Sequence, residues 1–230
     1  MPTLAERYQT VKNRIIHAEQ QSQRPANSVH LLAVSKTKPI EDINALATLG
    51  QQAFGENYVQ EALDKIQQRP DLEWHFIGPI QSNKTKPIAE HFDWVESVDR
   101  LKIAERLSAQ RPTDKPALNI LLQVNISGEP SKSGFEPTEL LNIASQIDAL
   151  PGLVIRGLMA IPEPESDLLK QRQPFAHMLK LFTRLQQVLP HRPIDTLSMG
   201  MSADLEAAIS EGSTQVRIGS DLFGARSYAN

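Results

Sequence analysis

Eight short apolar runs, each separated from the next by a stretch of helical periodicity, constrain this chain more than any other feature. They are His30–Val34, Gln52–Phe54, Trp74–Ile77, Trp94–Val98, Asn119–Asn125, Val154–Met159, Thr196–Met199 and Gln215–Ile218. Apolar runs too short for buried helices, alternating with amphipathic ones, describe βα units around a parallel sheet covered on both faces. Pro39–Gly50 starts on proline and stops on glycine, and Phe175, Met178, Leu179, Phe182 and Leu185 share one helical face. A further helix, Leu4–Gln21, precedes the first run. Eight such units in 230 residues match a (β/α)8 barrel, whereas a doubly wound open sheet spreads roughly five to seven strands over a similar length. The expected fold is a single TIM barrel domain, 1–230, with an extra N-terminal helix. Pro162–Pro174, polar and proline-rich, is expected to be a flexible loop.

Composition removes several functions. The chain has no cysteine, which excludes disulfide scaffolds, thiolate nucleophiles, thiolate zinc sites and iron–sulfur clusters. Basic and acidic side chains number 24 and 27 and are spread along the length, so no basic stripe marks a nucleic-acid partner. No stretch approaches the ~20 apolar residues that cross a bilayer, and the N-terminus lacks the apolar core of an export signal. We therefore expect a cytoplasmic protein with no membrane role. The six histidines show neither metal-ligand spacing nor acidic companions, and GxxxxGK[ST], GxGxxG and GxSxG are all missing.

Barrels of this kind act at the C-terminal ends of their strands. The first run ends in SKTKP, where period two puts Leu32, Val34 and Lys36 on one face. A lysine beside apolar residues loses hydration, which favours the free amine and makes attack on a carbonyl available. The alternative is a solvated lysine, and Lys38, at a helix entry, is the more hydrated rival. After the seventh run Gly200 frees the backbone and Ser202 is placed to cap a helix through Ile209, while after the eighth Gly219 and Ser220 form a second turn. Ordinary capping and tight turns are one reading, and the other is that paired turns after strands seven and eight commonly hold a phosphate. Asp204 and Glu206 must then point away from it. Arg217 alternates with Val216 and Ile218, so it projects into the barrel and needs a partner: Glu56, Glu96 or a ligand. Asn57, after the second run, is placed to reach the same mouth, the alternative for a lone Asn being a cap or turn residue, and His75 suits a satisfied core histidine.

With these residues in hand, the chain resembles the pyridoxal phosphate homeostasis proteins, a family related to the barrel domain of alanine racemase. LLAVSKTKP, FGENYVQE, WHFIGPIQSNK, LLQVNISGEPSKSGF, IRGLMAIP, LSMGMSADLEAAISEGST and VRIGSDLFGAR carry the resemblance in order over residues 31 to 226. It implies pyridoxal 5′-phosphate (PLP) held covalently as an internal aldimine on Lys36, with Asn57 lining the cofactor and Arg217 against the pyridine nitrogen. It also implies a phosphate cradle of Gly200, Met201, Ser202, Gly219 and Ser220. The family commonly has Thr where Ser220 stands, which keeps the hydroxyl; Asp221 is a less usual neighbour. A permanently charged arginine favours the unprotonated ring, which weakens carbanion stabilisation. Related racemases add a β-domain, for which no length follows the eighth unit here. We therefore expect a PLP carrier in vitamin B6 homeostasis, without strong catalysis, standing as a monomer and serving PLP-requiring apoenzymes. The rivals are a PLP-dependent racemase drawing an acid from His75 or Tyr58, and a cofactor-free lysine aldolase.

Overall fold

The computed structural model describes residues 2–128 and 133–224. Eight parallel strands close a barrel in chain order, β1-β2-β3-β4-β5-β6-β7-β8. They are β1 (His30–Val34), β2 (Ala53–Glu56), β3 (Glu73–Phe76), β4 (Trp94–Val98), β5 (Leu118–Gln123), β6 (Leu153–Met159), β7 (Thr196–Ser198) and β8 (Gln215–Ile218). The helices are α1 (Leu4–Gln21), α2 (Ile40–Thr48), α3 (Val59–Gln68), α4 (Thr85–His91), α5 (Leu101–Gln110), α6 (Leu140–Asp148), α7 (Leu168–Val188), α8 (Leu205–Ser210) and α9 (Ser220–Phe223). The expected TIM barrel with its extra N-terminal helix is the fold observed. A β1–β8 pairing from His30↔Gln215 to Ala33↔Ile218 closes it.

The main core lies between the barrel wall and the helices, where Ala33, Phe54, Val95, Ile120, Val216 and Ile218 meet the helices' apolar faces. Inside the barrel the character changes. Glu96 on β4 bonds Ser198 on β7, three strands apart, so these residues meet across the interior. Trp94 shares the parity of Glu96 and joins Leu121 and Met159 in a small separate cluster. The barrel axis is thus part apolar and part polar, an unusual use of buried space that requires every polar atom to find a partner.

Among the described residues, side-chain caps start two of the helices, α1 and α7. Thr3 and Glu6 form a reciprocal capping box at the start of α1. The bounds of β2, β3, β5, β6 and β7 differ from expectation by one or two residues, and two helix starts differ as well. The proline-rich segment is a loop only to Asp167, whose carboxylate accepts from the N–H groups of Leu169 and Lys170 and starts α7. Pro174 therefore sits inside that helix, at its seventh residue, where it removes the bond an N–H there would give to the Lys170 carbonyl. Likewise α2 begins at Ile40 with Pro39 as its N-cap. Among the described residues no helix is long and apolar enough to cross a membrane.

Candidate functional site

A cavity of about 370 Å³ opens at the C-terminal end of the barrel, lined by Lys36, Lys38, Asn57, Arg217 and the turns after β7 and β8. Seven of the eight residues singled out from the sequence, namely Lys36, Asn57, Met201, Ser202, Arg217, Gly219 and Ser220, line this one space. Gly200 does not. Its φ of +99° turns the chain, and a Cβ there would stand 2.6 Å from that of Ala208, so its part is to let α8 pack close behind the turn.

The lysine end is set by β1 and its turn. Lys36 lies two residues past Val34 and is half-buried. Lys38 lines the same cavity and donates to the Phe223 carbonyl at 3.4 Å, so it is less solvated than its position before Pro39 suggests. Asn57 follows β2, and its Oδ1 is buried with no hydrogen-bond partner among the described residues. Gly78 makes room for it: a Cβ at 78 would lie 2.4 Å from the Asn57 carbonyl.

At the arginine end, Arg217 projects into the barrel and is 4% exposed. Its Nη1 donates to Ser198 Oγ at 2.8 Å and its Nη2 to the Ala160 carbonyl at 3.0 Å. The counter-charge is Glu96, reached through Ser198, whose hydroxyl donates to Glu96 Oε2 at 2.6 Å. Glu56, the other carboxylate considered for this role, pairs instead with Lys65 at 2.7 Å. Glu96 Oε1 accepts from Gln215 Nε2 at 2.6 Å and lies 2.6 Å from His75 Nδ1. Burial lowers the Arg217 pKa, opposed by Glu96 and Asp204, yet a guanidinium is basic enough to stay charged. Burial alone would raise the Glu96 pKa; the hydrogen bond and charge of His75, with Arg217 and Ser198, bring it below the usual carboxylate value. Burial disfavours the His75 cation, but its bonds to Glu73 and Glu96 outweigh this and raise its pKa to about 9. His75 is the satisfied core histidine its sequence position suggested. It stacks on Trp94 at 5.1 Å and, with Glu73, borders a separate cavity at the opposite, N-terminal face.

The two turns meet each other, with Ser202 Oγ 3.3 Å from Ser220 Oγ. Ser202 does not cap α8. That position belongs to Asp204, whose Oδ1 accepts from Met201 N at 2.6 Å. The acidic neighbours are drawn off by a residue the sequence did not single out. Arg14 of α1 binds Glu206 with Nε and Nη2 at 2.7 and 2.9 Å, Asp221 at 2.5 Å and the Ser202 carbonyl at 3.0 Å. Glu206 thus points away from the cavity, and the Asp221 carboxylate is paired.

The profile of the alanine racemase N-terminal domain family matches residues 8–227. The pyridoxal phosphate homeostasis protein of Pasteurella multocida is 56% identical, over 99% of both chains. That of Escherichia coli K12 is 50% identical, over 100% of this chain and 99% of its own length.

The chain belongs to the pyridoxal phosphate homeostasis protein family. Among solved structures it is similar to PipY of Synechococcus elongatus with PLP bound, at a TM-score of 0.80 and 38% identity, covering 93% of this chain and 100% of that one. Alanine racemase from Corynebacterium glutamicum shares the fold, with a TM-score of 0.66 and 15% identity, covering 96% of this chain and 62% of that one. Parts of two family motifs, 129–132 and 225–226, lie outside the described residues.

Two further sets of residues support the family's cavity without lining it. One is Arg14, foreshadowed only by the position of α1 beside the barrel's closing seam. The other is Glu56, Glu61 and Lys65, of which only the i, i+4 spacing of Glu61 and Lys65 could be seen in the sequence.

Proposed function

We propose that this protein holds PLP reversibly on Lys36 and buffers or delivers it within vitamin B6 metabolism, working as a single-domain carrier rather than an enzyme. One observation carries the reading: a lysine, a buried unpaired amide oxygen and a buried arginine share one cavity with two hydroxyl-bearing turns. These groups fit the cofactor. When bound, PLP supplies an aldehyde that condenses with an amine. Lys36 would supply the neutral amine for that condensation, in which the aldehyde oxygen would be lost as water. Asn57 Oδ1, buried without a partner among the described residues, would be an acceptor for the bound group. Met201, Ser202, Gly219 and Ser220 take the phosphate, with Gly200 shaping their turn. Arg217 would be the cationic donor for the pyridine nitrogen, which would favour the unprotonated ring and a weak electron sink.

The same geometry supports carriage over turnover. A racemase needs a second proton-transferring group on the opposite face of its substrate. Besides Lys36, the titratable side chains among the described lining residues are Lys38 and Arg217, and Lys38 is directed to the Phe223 carbonyl. Of the two acids considered from the sequence, His75 is locked into the barrel axis and Tyr58 is 54% exposed and outside the lining. Recipient apoenzymes and a monomeric, cytoplasmic protein complete the reading.

The test is direct. The purified protein mixed with PLP gains a visible absorption band, borohydride fixes the bond, and peptide mapping finds the label on Lys36. A colourless protein, or label on Lys38 with Lys36 unmodified, sinks the reading. Exchange of amino-acid Cα hydrogen in deuterated water at about 1 per second or faster would assign an enzyme instead.

A further inference from the structure

The backbone that presents Lys36 is held on both sides by one ion cluster. Thr37 adopts φ +64°, a left-handed conformation that a β-branched residue enters only under constraint. The constraint is visible. Thr37 N donates to Glu61 Oε1 at 2.6 Å, and Lys38 N closes the turn onto the Ser35 carbonyl at 3.0 Å. On the other side of Lys36, that carbonyl accepts from Lys65 Nζ at 2.8 Å, and Ser35 Oγ donates to Glu56 Oε1 at 2.6 Å. Lys65 ties the two together by reaching Glu56 at 2.7 Å and Glu61 at 2.6 Å. Its three ammonium protons match three acceptors, Glu56, Glu61 and the Ser35 carbonyl.

Burying a lysine and a carboxylate contributes little net stability compared with apolar packing of the same volume. Such a cluster is explained by what it positions. Its contacts fall on Ser35 and Thr37, the immediate neighbours of Lys36, and none of its three members lines the cavity.

We propose that Lys65, Glu56 and Glu61 are positioning residues for Lys36, clamping the strained Ser35–Lys38 turn so that the amine meets an aldehyde in the cavity at a bonding angle. This rests on the reading of Lys36 as the covalent anchor. The clamp acts on bond formation and leaves the phosphate turns, on β7 and β8, untouched. Covalent capture and non-covalent binding therefore come apart when it is broken.

Two probes separate them: PLP, and pyridoxine 5′-phosphate, which keeps the ring and phosphate but carries an alcohol in place of the aldehyde. The full-length protein is compared as wild type, Glu61→Gln and Lys65→Met. Stopped-flow absorbance gives the capture rate for PLP, and calorimetry gives the Kd for pyridoxine 5′-phosphate. Misdirecting a reacting group by a fraction of an ångström costs about tenfold or more in rate. We expect Glu61→Gln to slow capture by about tenfold while the Kd for pyridoxine 5′-phosphate stays within about twofold. Lys65→Met shows a larger slowing with the same split. Should Lys65→Met fail to fold, Glu61→Gln decides alone, since Glu61 is partly exposed. Wild-type capture rates in the folded variants, or equal losses with both probes, overturn the positioning role. If the wild type itself forms no borohydride-reducible bond at Lys36, the anchor reading fails first and the clamp with it.

Discussion

Glu56 at the lysine end and Glu96 at the arginine end are both fully buried carboxylates, yet they are solvated by the protein in opposite ways. Glu96 has both oxygens filled, Oε1 by His75 and Gln215 and Oε2 by Ser198. Glu56 concentrates Lys65 and Ser35 on Oε1 and leaves Oε2 without a hydrogen-bond partner among the described residues. The consequence is electrostatic. Glu96 is held below the ordinary carboxylate pKa, whereas burial pushes Glu56 above it against the pull of Lys65 and Ser35. A fully satisfied anion is a fixed point; a half-satisfied one is a constraint that a small change can release. The arginine end is therefore the rigid seat of the cavity. The lysine end, where Glu56 Oε2 has no partner among the described residues, is the compliant one.

The comparison is broken most forcefully at the rigid seat. Glu96→Ala leaves Arg217 without its nearest counter-charge and His75 without its Nδ1 partner. Removing one member of such a buried network costs about 3–5 kcal/mol. Urea unfolding is expected to show that loss, and a change below ~1 kcal/mol would mean the chain along the barrel axis is dispensable.

The wild-type protein offers the next largest effect without mutation. The His75 pKa is raised in the fold from 6.5 to about 9. A raised basic group contributes stability that is fully present below its unfolded pKa and is lost as pH rises through the folded one. Stability should therefore fall between about pH 6.5 and 9, by on the order of 3 kcal/mol. His75→Gln should flatten that slope, and an equal slope in the variant assigns the effect to other groups.

How much of this could be read in the sequence follows from the length scale of each feature. The strands β1, β4 and β8 were legible to the residue, because apolar runs and period two are local properties. Lys36 and Arg217 were legible for the same reason: parity along one strand decides which way each points. The Glu96–Ser198–Gln215 junction was not, since it depends on barrel closure bringing β4 opposite β7 and β8. Glu56 illustrates the limit best. Parity made it a fair partner for Arg217, but α3 returns Lys65 over the end of β2 and claims it. The start of α7 was missed for a different reason: the prolines on both sides masked the capping signal of Asp167.

A smaller effect concerns the side of the cavity formed by the turns after β7 and β8. Arg14 is 30% exposed and binds two carboxylates, one of them through two nitrogens. Partly exposed ion pairs of that kind contribute about 1 kcal/mol. Arg14→Met should cost about that much stability in urea. It should also weaken pyridoxine 5′-phosphate binding several-fold, because Glu206 and Asp221 lose the cation that draws them off. Unchanged affinity would show that the two acids stay turned away without Arg14.

The smallest expected effect tests the compliant end on its own. Thr37→Gly removes a left-handed strain of about 1–2 kcal/mol and adds an unfolded-state entropy cost of about 0.5–1 kcal/mol. The turn should therefore become more stable by up to ~1 kcal/mol, as a small rise in the urea midpoint. The hydrogen bond from residue 37 to Glu61 uses the backbone N–H and survives the change, so the clamp keeps its grip while the strain it resists is gone. PLP capture should then proceed at close to the wild-type rate. If capture slows in a more stable protein, the left-handed strain itself aims Lys36, and the ion cluster serves only to maintain it.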